Sequence, residues 1–139
     1  PHGMSYPVSG NVKSYHPDGY PGEHPLIPHG MAVVLNAPAA FRFTAPACPE
    51  KHLQAAEALG ADVSGAGPDE AGEVLAERIQ YFMQRLNIPN GLSAVGYSEA
   101  DVPALVEGTL PQHRVIKLAP REVGREELTE IFKNALKYW

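Results

Sequence analysis

Four of the six histidines, His2, His16, His24 and His29, fall within the first 29 residues. Imidazole is the commonest side-chain ligand for borderline transition metals, and two such groups from separate segments can fix an Fe2+ or Zn2+ ion. His2 and His29 form the best pair, because each is followed by glycine, which lets a helix start or a ligand approach closely. The stretch HPLIPHGMAVVLNAPAAF adds a second argument for His29. Pro25 and Pro28 fix φ and hold their predecessors out of the α region, so the chain reaches His29 extended and loses less entropy on positioning it. Gly30 then opens a helix that Met31 to Ala40 anchor in the core. On this reading His29 faces the site, and His24 is an outer partner or a surface group. Spacing alone leaves open a polar loop that is merely rich in histidine, since no HxxxH or CxxC pattern occurs and neither Asp18 nor Glu23 sits at ligand spacing. His52 and His113 read as ordinary helix-surface and loop residues.

Five segments carry the apolar spacing of helices. His29 to Ala45 is apolar all round and should be deeply buried, with a kink or a break at Pro38. Pro49 to Leu59 starts on a proline, turns Leu53 and Ala56 inward and ends at Gly60. Pro68 to Leu86 bears the stripe Ala71, Leu75, Ile79, Phe82/Met83 and Leu86, and Pro89-Asn90-Gly91 stops it. Ser98 to Leu110 opens on an approximate capping box between Ser98 and Asp101. Arg125 to Tyr138 places Leu128, Ile131/Phe132 and Leu136 on one side. Strand signals are few, and VIKL (Val115 to Leu118) is the best of them, as a strand or an extended link. The expected fold class is all-α: one domain over residues 1–139, with a helical bundle from 29 to 139. The segment 1–28 holds five prolines after Pro1 and four glycines, and should be irregular.

The composition narrows the function. With 139 residues the chain can bury one core. Its net charge of −5, with 11 Lys and Arg scattered along it, disfavours nucleic acid or an anionic membrane as partner. No apolar run approaches the roughly 20 residues that span a bilayer. The single Cys48 excludes an internal disulfide and fits a reducing compartment. GADVSGAGPDEAG precedes a helix but follows no strand, so it reads as a loop rather than a phosphate-binding turn. A catalytic N-terminal proline, as in tautomerases, needs a strand straight after Pro1, and HGMSYPVSG is a poor strand.

Taken together, HGMSYPVSGNVKSY, GYPGEHPLIPHGMAVVLNAPAAF, PEKHLQAAEALGAD and GLSAVGYSEADVPALVEGTLPQHRVIKLAPR resemble the C-terminal portion of iron-containing (group III) alcohol dehydrogenases. Within that family they are most similar to the hydroxyacid-oxoacid transhydrogenase branch. The similarity runs nearly from Pro1 to Trp139 but covers only about the last third of such an enzyme. It implies a fold of the dehydroquinate synthase-like type, whose helical half supplies the metal ligands and whose N-terminal α/β half binds the nicotinamide cofactor, NAD(H). That half is absent from this chain. The implied ligands are an Asp and three His. His2 and His29 fall on two of the histidine positions, and the other two ligands belong to a segment upstream of Pro1. Many relatives carry a second histidine at the position of Tyr6, where it is discussed as a proton relay; the transhydrogenase-like branch has tyrosine there. Tyr6 is thus the candidate catalytic residue, able to donate a hydrogen bond, although a phenol is a poor base at neutral pH.

The resemblance implies an iron-dependent (Fe2+, with Zn2+ as the other option) oxidoreductase. It would move hydride from a hydroxy acid such as 4-hydroxybutyrate to an oxo acid such as 2-oxoglutarate through a tightly held nicotinamide. Such carboxylate substrates want a cation, and Lys13, Arg114 and Lys117 are the candidates, set against solvated surface charge as the commoner fate of such residues. The alternatives are a plain NAD-dependent iron-containing alcohol dehydrogenase and a helical piece that does no chemistry. The isolated chain, with two ligands of four, should be inactive. Expected partners are the small-molecule substrate, the N-terminal domain of the same protein and a second copy in a homodimer. The expected location is cytoplasmic in bacteria and the mitochondrial matrix in eukaryotes.

Overall fold

The computed structural model describes residues 1–139 and contains only helices and their connections. Seven α-helices run in the order α1 (His2–Gly10), α2 (His29–Thr44), α3 (Pro49–Ala58), α4 (Ala71–Arg85), α5 (Val102–Thr109), α6 (His113–Ile116) and α7 (Arg125–Asn134). A cluster of 18 buried apolar residues forms the core, drawn from α1, α2, α4, α5, α7, the 92–97 connection, Ile27 of the loop before α2 and Ala135 just after α7.

α2 is the central element. Its residues 35–40 are buried without a gap, as an all-round apolar helix requires. The expected break at Pro38 does not occur: the helix continues unbroken to Thr44. Pro38 is itself buried within the packed run, and that burial offsets the hydrogen bond its ring removes. Asn36 is fully buried in the same helix, and its Nδ2 donates to the Ala32 carbonyl at 2.7 Å.

The expectation of an irregular start is corrected over its first third, because His2–Gly10 is helical despite Gly3, Pro7 and Gly10. Tertiary packing overrides local propensity here. Met4 and Val8, one turn apart, are buried in the core. A Cβ on Gly3 would stand 3.0 Å from Ile116 Cγ1, and one on Gly108 would stand 2.6 Å from Pro7 Cβ. The glycines therefore let α6 and α5 close on α1. Tyr97, itself buried, donates its hydroxyl to the Val8 carbonyl at 2.7 Å and satisfies one acceptor that the end of α1 leaves open. Burial, and then the negative charge of Asp101, raise the Tyr97 pKa to about 12, so that proton stays in place. Residues 11–28 follow as irregular chain, as expected.

Other boundaries move for identifiable reasons. VIKL is not extended; His113–Ile116 forms the helical turn α6, and Val115 and Ile116 pack on Gly3. α7 stops at Asn134, short of Tyr138. The loop at Gly91 meets its end, with Leu92 N donating to Ala135 O at 2.9 Å and Ser93 N to Leu136 O at 2.9 Å. Gly91, at φ +69°, permits that approach, since a Cβ there would lie 2.5 Å from Leu136 O. The Ser98–Asp101 box forms as the spacing predicts, with Ser98 N donating to Asp101 Oδ2 at 2.8 Å. Leu86, placed on the inner stripe of α4, is 69% exposed because the helix ends one residue before it.

Candidate metal centre

α1 and α2 pack on one another so that their first residues, His2 and His29, come together. The ring centroids are 5.3 Å apart with the planes tilted by 58°. Tyr6, one turn along α1 from His2, lies with its ring centroid 6.0 Å from that of His29. His2, Tyr6 and His29 are all solvent-exposed. The only histidine ring that makes hydrogen bonds within the chain is His52, so the nitrogens of His2 and His29 are uncommitted.

This geometry suits a shared ion. A ring nitrogen about 2.1 Å from a metal puts its ring centroid about 3.2 Å away, so two ligands in tetrahedral array have centroids roughly 5.3 Å apart. No group of three or more His, Cys, Asp and Glu side chains able to hold a metal is present. The pair thus offers two nitrogen donors. His24 and His16 belong to the loop and do not join the pair. His24 is exposed, with its ring against Gly22.

Pro28 immediately precedes α2, at φ −56° and ψ 145°, the extended geometry that its ring favours. The loop is tied down around it: Ile27 is 1% exposed, and its carbonyl accepts from Ser9 Oγ at 3.0 Å. Leu26 N donates to Tyr15 O at 2.7 Å. Together these contacts hold the start of α2 against α1.

Two sequence expectations about side chains are corrected or sharpened. His52 is not a helix-surface residue: it is buried, its Nδ1 lies 2.9 Å from the Cys48 carbonyl and its Nε2 lies 2.8 Å from Thr44 Oγ1. Nδ1 donates to that carbonyl, leaving Nε2 to accept from the threonine hydroxyl. Lys13 does not face the pair as a free cation; it is bound to Asp101 at 2.7 Å. Arg114, in contrast, donates from Nη2 to Tyr6 Oη at 3.4 Å. Its place beside Tyr6 was not foreseeable from sequence, because it depends on α6 being a helical turn seated on Gly3. A largely apolar cleft of about 400 Å³, lined by His2 but not by His29, opens between Met4, Phe43, His52, Ile116 and Leu128.

The fold has solved counterparts. An alcohol dehydrogenase from Oenococcus oeni superposes with a TM-score of 0.80 at 22% identity, over 96% of this chain and 31% of that one. A 1,3-propanediol oxidoreductase superposes with a TM-score of 0.78 at 26% identity, over 96% of this chain and 31% of its own. Both share its all-α domain fold. The family model of the Fe-containing alcohol dehydrogenase family, C-terminal, matches residues 1–136, and the chain belongs to that family. Mitochondrial hydroxyacid-oxoacid transhydrogenases from Xenopus tropicalis and Homo sapiens are 54% and 53% identical to it over 138 residues, 99% of this chain. The chain spans about 30% of the length of those relatives.

Proposed function

We propose that this chain is the metal-bearing C-terminal domain of a hydroxyacid-oxoacid transhydrogenase. The observation that carries the proposal is the meeting of His2 and His29, ring centroids 5.3 Å apart, in a chain 54% identical to such an enzyme. His2 and His29 would hold two positions of an Fe2+ ion, or Zn2+ in its place, and an Asp and a His from an upstream segment would complete the set. Such an ion would supply Lewis acidity to the substrate oxygen. A nicotinamide would be held by an N-terminal domain and would supply the hydride carrier between the hydroxy acid and the oxo acid. The chain's own part is positional. α1 and α2 present the two imidazoles at a fixed separation, and Pro28 limits the freedom of His29 before binding. The Tyr6 hydroxyl, beside His29, donates a hydrogen bond to the substrate oxygen. The substrate pair is a hydroxy acid of the 4-hydroxybutyrate type and an oxo acid of the 2-oxoglutarate type. The isolated 139 residues are inactive, and in a eukaryotic host the enzyme resides in the mitochondrial matrix, a reading supported by relatives named as mitochondrial.

The test is turnover by the purified full-length enzyme, given a hydroxy acid and an oxo acid with no NAD added. Oxo-acid-dependent oxidation of the hydroxy acid is the expected result. Oxidation that requires added NAD and ignores the oxo acid would instead identify a plain alcohol dehydrogenase. No oxidation of any alcohol under either condition would leave a helical domain without chemistry.

A further inference from the structure

The chain carries six arginines, and five of them are engaged. Arg42 pairs with Glu73, and Arg125 pairs with Glu107. Arg78 donates to the Leu59 carbonyl and lies over Tyr81 and Phe82. Arg121 donates to the Phe43 carbonyl and lies over that ring, and Arg85 lies over Tyr81. Arg114 alone has no carboxylate, backbone carbonyl or aromatic face; its one polar contact is the Tyr6 hydroxyl at 3.4 Å. That hydroxyl belongs to Tyr6, whose ring lies 6.0 Å from that of His29, so an exposed, unpaired guanidinium stands at the edge of the histidine pair.

Its position is held rather than incidental. Ile116 and Val115, on the same turn as Arg114, press on Gly3 at distances that leave no room for a Cβ. α6 is thereby fixed to the turn of α1 that bears His2. Residues 108–121 contain Arg114, Lys117 and Arg121 and no Asp or Glu, but Lys117 and Arg121 share a surface pocket with Glu122 and Glu127, which leaves Arg114 as the cation without a carboxylate beside it. A guanidinium presents a planar fork of donors matched to a carboxylate, and in this orientation its spare donors have no partner in the protein.

We infer that Arg114 is the specificity-determining residue that receives the substrate carboxylate, and so distinguishes hydroxy and oxo acids from uncharged alcohols. This rests on the reading of the domain as part of a transhydrogenase and deepens it. A substrate with its oxygen at the histidine pair would run past Tyr6 and place its carboxylate on the guanidinium. Lys117, one turn on, adds positive potential without touching Tyr6, and serves as the control for charge alone.

The experiment uses the full-length enzyme with Arg114→Gln, Arg114→Lys and Lys117→Gln. Calorimetric titration with glutarate, a dicarboxylate that cannot react, reads binding without turnover. Arg114→Gln should weaken glutarate about 10- to 100-fold, the range of a lost charge-assisted pair. Arg114→Lys should recover part of the loss, and Lys117→Gln should change affinity less than about threefold, as expected of a screened, more distant charge. In turnover, Arg114→Gln should raise KM for 4-hydroxybutyrate by a similar factor and raise KM for 1-butanol at least threefold less. Unchanged glutarate affinity in a folded Arg114→Gln protein would overturn the inference, and so would equal losses for 4-hydroxybutyrate and 1-butanol. Failure of the wild-type enzyme to oxidise any hydroxy acid would overturn the transhydrogenase reading itself, whatever the variants bind.

Discussion

Gly108→Ala tests the packing that sets α1, and with it His2 and Tyr6, in place. The added Cβ would stand 2.6 Å from Pro7 Cβ, whereas ordinary carbon–carbon contact lies at about 3.5–4.0 Å. Pro7 has no rotamer with which to yield, so the overlap of about 1 Å must be relieved by shifting α1 or α5 bodily. Overpacking of this kind costs about 1–3 kcal/mol. Against it stands the higher helix propensity of Ala, worth at most about 1 kcal/mol in a helix interior and less here, one residue from the end of α5. The net expectation is a loss of about 0.5–2 kcal/mol. Gly10→Ala is the matched control: it lies at the end of α1, has nothing within 4 Å of its Cβ and should be neutral or slightly stabilising. Urea unfolding followed by circular dichroism measures both, and metal titration of the full-length variant should show weakened affinity for Gly108→Ala only. Equal stability of the two variants, at or above wild type, would refute the reasoning.

Tyr97→Phe should cost about 1–2 kcal/mol in urea unfolding, because it removes a buried hydroxyl and leaves the Val8 carbonyl unpaired. The Asp101 carboxyl is held below its usual range, first by the hydrogen bond from Lys13 and then by the Ser98 amide. Its contribution is therefore complete above the unfolded carboxylate pKa and is lost as the pH falls through the lower folded value. Lys13→Gln should flatten the fall in stability below about pH 4, by no more than about 1 kcal/mol for so exposed a pair; an unaltered pH profile would contradict this. Pro28→Ala should leave helix content unchanged and weaken metal binding in the full-length enzyme, since φ before His29 is then free. Equal affinity, with loss instead on His24→Ala, would assign the ligand role to the other histidine.

The long amphipathic helices were legible because periodicity reports directly on burial: α4 and α7 follow their stripes, and the Ser98 box starts its helix where the spacing places it. α1 was not legible, because Gly3, Pro7 and Gly10 argue against a helix locally while their value lies in contacts with Ile116 and Gly108 far along the chain. His52 was misread for a related reason. Its burial depends on the hydroxyl of Thr44 and the carbonyl of Cys48, which accept or offer hydrogen bonds without leaving a hydrophobic pattern. His2 and His29 were readable as candidates from their flanking glycines and from family resemblance. Their separation was not, since it is fixed by how α1 lies against α2. The contact of Arg114 with Tyr6, across 108 positions of sequence, belongs to the same class of information.

The central claim is that His2 and His29 hold one metal ion. Metal content of the full-length enzyme, measured by inductively coupled plasma mass spectrometry for wild type and His29→Ala, tests it most directly. The account predicts about one iron or zinc per wild-type polypeptide and loss of most of it in His29→Ala, because two imidazoles with ring centroids 5.3 Å apart become one. Iron or zinc retained at full occupancy in folded His29→Ala would contradict it.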